Sequence, residues 1–210
     1  MTFAEMKTEV VRRINESASA PVFWLDADVA AAINDGYEEL ADATEWHERS
    51  ASLALTGGTY YNLTTTSILA DTLLTPKRAF NVQTNRWLDW VDWRDLDTYI
   101  YRQWETITGE PQKMLARGLW WLGTFPKKTG GTLTLWYTAM PDPLAGNADE
   151  PAFPSEFHYA LVDYAVYDLL CQEGEGRKAI KFWNRYLQQE VALKQYVQKR
   201  LGIDRVASFH

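Results

Sequence analysis

Four carboxylates fall within nine residues at Asp89, Asp92, Asp95 and Asp97, and His47 stands beside Glu48; these come closest in type and spacing to an acid–base site. Paired carboxylates can act as general acid and as base or nucleophile when a substrate fits between them. Here Trp90 and Trp93 interleave with the acids, a pattern that suits the wet side of a turn or an acidic rim better than a reaction centre. The three histidines, His47, His158 and His210, lie far apart in sequence. There is no His-Glu-x-x-His, no set of metal-ligand cysteines, no Gly-rich phosphate loop and no nucleophile elbow. His158 falls one turn into an apolar helical segment and reads as a core or capping histidine. Cys171, the sole cysteine, closes the apolar segment Ala160 to Leu170 and reads as a small buried hydrophobe rather than a reactive thiol. No catalytic residue, metal or cofactor is expected, and the chain reads as one that works by binding.

Two features carry that binding chemistry. The first is aromatic: ten tryptophans in 210 residues is several times ordinary usage. Trp87, Trp90, Trp93 and Trp104 lie close together with Tyr99 and Tyr101 between them, and Trp120, Trp121 and Trp136 fall in neighbouring apolar stretches. On a strand, alternation lets only one of Trp120 and Trp121 face inward, so the other meets water or a partner. Core packing, a protein interface and a platform for sugar rings or single-stranded bases all remain open for this set. The second feature is charge. The net charge of −7 argues against nucleic acid as the main partner. From Arg177 onward, however, eight basic residues face only Glu190 and Asp204, making a basic C-terminal helix on an acidic body. That helix has either a solvated face or a face that docks on an acidic surface.

Positioning these groups requires helices at both ends and strands between. Thr2-x-x-Glu5 has capping-box spacing, and Phe3, Met6, Val10 and Ile14 then share one side of a helix predicted to end near Ser17. Asp26 can cap a second helix with the stripe Val29, Ile33, Tyr37, Leu40 and Thr44, antiparallel to the first. From Ser50 to Pro141 the period shortens. Leu53 and Leu55 alternate, and Gly57-Gly58 predicts a hairpin to Thr59-Tyr60-Tyr61. Further strands are predicted at Arg78–Gln83, Arg86–Val91, Lys113–Ala116, Leu119–Phe125 and Thr132–Ala139, with Trp93–Trp104 a short helix or an irregular loop. Pro154 opens a helix to about Gln172 that is apolar on most sides and so buried. Gly174-Glu175-Gly176 turns the chain into a last helix with Ile180, Trp183, Leu187, Val191 and Val197, stopped by Gly202. The expected fold is α+β: a four-helix bundle interrupted by a small antiparallel β insertion, with a C-terminal tail. Its parts are residues 1–49, 50–141, 142–201 and 202–210. No apolar run approaches the length of a membrane span, and the N-terminus lacks a secretion-signal layout, so a cytoplasmic site of synthesis is expected.

The stretch from Gly109 to Leu170 has a recognisable order. Gly109 and Pro111 come first, then Gly118 before Leu119 to Leu122, Pro126, the strand Thr132 to Tyr137, Pro141 and Leu144, and Pro154 followed by His158, Leu161, Tyr164 and Ala165. This order resembles the head-to-tail adaptor, or head-completion, proteins of tailed bacteriophages, especially short-tailed ones. The resemblance implies a structural virion protein, made in the host cytoplasm, that binds the portal as a ring of twelve copies. It implies a platform for the tail around the DNA channel, with passing, non-specific DNA contact, no enzyme activity, no cofactor and no membrane. The implied partners are the portal protein, neighbouring adaptor copies and a tail or nozzle protein. Portal binding then falls to Arg177, Lys181, Arg185, Lys199 and Arg200 and to the tail residues Gly202, Ile203, Arg205, Val206, Phe209 and His210. Tail or subunit contact falls to Trp87, Trp90, Trp93, Trp120 and Trp121. The alternatives are a carbohydrate-binding or tail-associated module using the Trp-rich sheet, and an enzyme built on a carboxylate pair between Asp89 and Asp97.

Overall fold

The computed structural model describes residues 1–14, 23–63, 73–97, 103–118 and 121–201. It divides into two compact units, one of Met1–His47 with Met140–His210 and the other of Glu48–Ala139.

The first unit is helical. Helix α1 (Phe3–Arg13) starts with the capping box: the Glu5 amide donates to the Thr2 hydroxyl at 3.3 Å, and the Thr2 amide donates to the Glu5 carboxylate at 2.9 Å. It ends at Arg13, a turn earlier than the spacing predicts. In α2 (Asp26–Thr44) the predicted stripe of Val29, Ile33, Tyr37, Leu40 and Thr44 is buried, joined by Ala32, Gly36 and Ala41. Asp26 is its first helical residue rather than its cap: Asp28 accepts the Leu25 amide at 2.9 Å, while Asp26 pairs with Lys7 at 2.9 Å. Helices α1, α2 and the last helix all pack against the helix His158–Gln172, which buries nine of its fifteen residues. An all-round apolar sequence has no solvent face to offer, so the other helices cover it.

Gly36 shows how close that packing is. Alanine in mid-helix ordinarily stabilises by about 1 kcal/mol relative to glycine. At Gly36, though, a Cβ would sit 2.7 Å from Tyr164 Cδ1, and Tyr164 is itself wedged against Tyr186, ring centroids 5.2 Å apart. Overpacking therefore wins, and Gly36→Ala is expected to lose about 1–2 kcal/mol in urea unfolding. A gain in stability would show that Tyr164 moves aside freely.

The second unit is a sheet with strands β1 (Glu48–Thr56), β2 (Tyr60–Asn62), β3 (Leu73–Asn81), β4 (Arg86–Trp90), β5 (Lys113–Arg117), β6 (Trp121–Phe125) and β7 (Thr129–Ala139). A single helical turn, α3 (Trp93–Asp95), follows β4, and a 3-10 turn spans Trp104–Thr106. The strand order is β1-β7-β3-β4-β5-β6-β2. All neighbours are antiparallel except β4 and β5, which run parallel. Around Pro76, which has no amide hydrogen to give the ladder, the β3 register against β7 shifts.

Two expectations fail here. A four-helix bundle with a small antiparallel insertion is not the fold: among the described residues a mixed, seven-stranded sheet dominates, beside five α-helices. It has a core of its own, with Leu53, Leu55, Ala79, Leu88, Met114, Leu122, Leu133 and Leu135 buried together. Each strand is too short to announce this weight by itself; the register supplies it, placing the eleven-residue β7 between β1 and β3. The Gly57-Gly58 hairpin is also absent. β1 pairs with β7 and β2 with β6, so strands adjacent in sequence form opposite edges of the sheet order. Only the three residues 57–59 join those edges, so the sheet must curl to bring them together.

Candidate functional site

The carboxylates at 89–97 do not assemble. Asp92 caps α3, its Oδ1 accepting the Arg94 amide at 2.9 Å, and Asp89, Asp95 and Asp97 are exposed. Among the described residues no group of three or more His, Cys, Asp or Glu side chains is arranged to hold a metal. His158 is a satisfied core histidine: Nε2 lies 3.0 Å from the Phe153 carbonyl, and Nδ1 lies 2.8 Å from the Met1 amine. Cys171 is exposed, not buried as its apolar surroundings predict. It falls one step beyond Leu170, and 100° of helix rotation carries it outward.

On β3, β4 and β7 the side chains facing away from the sheet's core form a continuous aromatic surface. The register sets Arg78 opposite Trp136 and Phe80 opposite Trp87. Ring centroids lie 5.1 Å apart for Phe80 and Trp87 and 5.1 Å for Trp87 and Trp136. The Arg78 guanidinium rests over both tryptophans, 4.8 Å from Trp87 and 5.4 Å from Trp136. Trp87 is 51% exposed. Trp90, Trp93 and Trp121 are exposed as well, but not in this cluster: Trp90 donates its indole N–H to the Lys77 carbonyl at 2.7 Å, Trp93 stacks with Arg94, and Trp121 lies on β6. Trp104, by contrast, is core. Beside Trp87 opens a groove of about 580 Å³ lined by Thr84, Arg86, Asp89, Glu110, Pro111 and Gln112. Of the predicted interface tryptophans among the described residues, then, only Trp87 belongs to the cluster. Sequence reasoning passed over Arg78 and Phe80 and placed Trp136 in the aromatic set without assigning it to the interface, although each is out of step with the apolar alternation at Ala79, Leu133, Leu135 and Tyr137.

We label the helix His158–Gln172 α4 and the last helix, Gly176–Leu201, α5. Helix α5 carries the basic residues. It buries Ala179, Phe182, Tyr186 and Leu193, and leaves exposed Ile180, Leu187 and Val191 of the apolar residues that the sequence reading assigns to it. Its cations gather at the two ends. Arg177, Lys178, Lys181 and Arg185 sit near its start, and Lys199 and Arg200 near its end, with Lys194 between them. Arg185 is committed inward, 3.3 Å from the buried Asp163 carboxylate, which Gln189 also reaches at 3.0 Å and Arg13 grips through Nη1. Burial pushes the Asp163 carboxyl up from its usual range, while Arg13 and Arg185 pull the other way. An acid in the apolar run Ala160–Leu170, which holds only Asp163 and Asp168 as charged residues, was the available signal for this node. At the other end, Arg200 lies over Tyr196 at 5.2 Å and lines a cleft of about 400 Å³ with Trp46, Phe153, Pro154, Leu193 and Val197. Trp120, Gly202, Ile203, Arg205, Val206, Phe209 and His210 lie outside the described residues.

The candidate groups thus form an aromatic–arginine face on the sheet and a basic helix in the helical unit. The sequence model of the SU10 adaptor protein family matches residues 1–207, and the chain belongs to that family. It is thus a phage structural adaptor protein and a component of the virion. No curated protein matches it. Among the described residues no helix is long and apolar enough to cross a membrane.

Proposed function

We propose that the chain is a head-to-tail adaptor that binds the phage portal as a ring of twelve copies and forms the platform for the tail around the DNA channel. The carrying observation is the end of α5. Lys199 and Arg200 are exposed there, without a carboxylate partner among the described residues, beside an apolar cleft and just ahead of residues 202–210. Portal contact falls to this end and to Gly202, Ile203, Arg205, Val206, Phe209 and His210. Arg185 is occupied by Asp163, and Arg177 and Lys181 belong to the patch about 27 Å away along the helix. The sheet face around Trp87, with Trp90, Trp93, Trp120 and Trp121, falls to the tail protein or a neighbouring copy.

Removal of residues 202–210 together with Lys199→Glu and Arg200→Glu is expected to weaken binding to purified portal by about tenfold or more. Helix content and thermal midpoint should be unchanged. Normal portal binding by that variant, measured by sedimentation with portal rings, would show that the contact lies elsewhere.

A further inference from the structure

The first half of α5 leaves an apolar line on its outer side. At 100° per residue, Ile180, Leu187 and Val191 fall within about 40° of one another around the helix, and they are 59%, 37% and 52% exposed. Three aliphatic side chains in one exposed row mark a contact surface. Next to the row project Arg177 and Lys181, which have no carboxylate partner among the described residues.

A matching surface lies on α2 of the same unit. That helix holds six carboxylates and no Lys or Arg, whereas α5 holds seven Lys and Arg and one Glu. Asp28, Asp35, Glu38, Glu39 and Asp42 are exposed on the side away from Val29, Ile33 and Leu40. The cations of α1 do not neutralise them: Lys7 is taken by Asp26, Arg12 by Glu9, and Arg13 by Glu9 and Asp163. Asp35, Glu38, Glu39 and Asp42 have no cation partner among the described residues. On the same face Ala27 and Ala31 are exposed and small enough for aliphatic side chains to approach closely.

We propose that the first half of α5 in one copy docks antiparallel on the outer face of α2 in the next copy. Arg177 and Lys181 then meet Asp42 and Glu38, and Leu187 and Val191 reach Ala31 and Ala27. The lengths agree: Arg177 to Val191 rises about 21 Å and Ala27 to Asp42 about 22 Å. Because the two faces differ, each copy offers one and accepts the other, so the contact propagates from copy to copy and can close into a ring. The inference rests on the ring proposed above and names the surfaces that hold it. The occupant is a second copy because both complementary faces belong to this one chain. A net charge of −7 per copy opposes association of free chains, so the contact is weak until the portal holds copies side by side.

The test uses the full chain, as an equal mixture of isotopically heavy and light protein treated with a zero-length carbodiimide cross-linker, free at low ionic strength and bound to portal. Cross-links joining heavy to light peptides between Lys181 and Glu38 or Asp42 are expected. They should disappear for the free chain at ~0.5 M salt. Arg177→Glu with Lys181→Glu should lower self-association in sedimentation by about tenfold or more, and adding Glu38→Lys with Asp42→Lys in the same chain should restore it. Cross-links confined to peptides of one isotope, none between α5 and α2 in either state, or no recovery in the four-substitution chain would overturn the proposal. Binding of the unaltered chain to portal is read separately. Its loss sinks the adaptor reading, while portal binding without α5–α2 cross-links sinks only this contact.

Discussion

Asp163→Ala is expected to lower the stability of the helical unit by about 3–5 kcal/mol. Asp163 is fully buried; it accepts hydrogen bonds from Arg13 of α1 and Gln189 of α5 and forms an ion pair with Arg185 of α5. Burial disfavours its charge, so the intact arrangement contributes little net stability over an apolar one. Breaking it is another matter. The Arg13 side chain is only 13% exposed, and without Asp163 it keeps Glu9 as its remaining ion-pair partner in a site that water barely reaches. Arg185→Ala, whose side chain is 48% exposed, should cost less than about 1 kcal/mol. Asp163→Asn retains an acceptor and should fall between. Urea unfolding followed by circular dichroism ranks the three, and an Asp163→Ala loss below that of Arg185→Ala would refute the account.

The largest functional effect is expected from Trp87→Ala, which should cut tail attachment by about thirtyfold or more while portal binding continues. Trp87 touches Phe80, Trp136 and Arg78, so its removal dismantles the aromatic–arginine face at its centre. Being half exposed, it gives up little burial within its own chain, and the fold should survive. The count of tailed against tailless particles in electron micrographs, with variant adaptor supplied to a phage lacking its own, reads the outcome directly. A carbohydrate-binding module would use the same tryptophans differently. Arg78 already covers the faces of Trp87 and Trp136 that a sugar ring would need, so added oligosaccharide should leave tryptophan fluorescence unchanged. A saturable quench that Trp87→Ala abolishes would move the assignment to sugar binding.

What could be read in the chain was local. The capping box at Thr2 and Glu5, the buried stripe of α2 and the burial of α4 follow from hydrogen bonds spanning three residues and from a 3.6-residue period, both contained in a few consecutive positions. The order around Gly109 to Leu170 likewise sufficed to indicate the adaptor family. Tertiary structure decided the rest, because strand pairing joins distant residues and a register is set only when partners meet. It placed β1 beside β7 rather than β2, ran β5 parallel to β4, and brought Arg78, Phe80, Trp87 and Trp136 onto one face from three strands. It also chose the buried side of α5. The sequence offers two apolar rows there, and packing on α4 selected the one with Leu193 and the large rings of Phe182 and Tyr186, which bury more area, leaving Ile180, Leu187 and Val191 exposed.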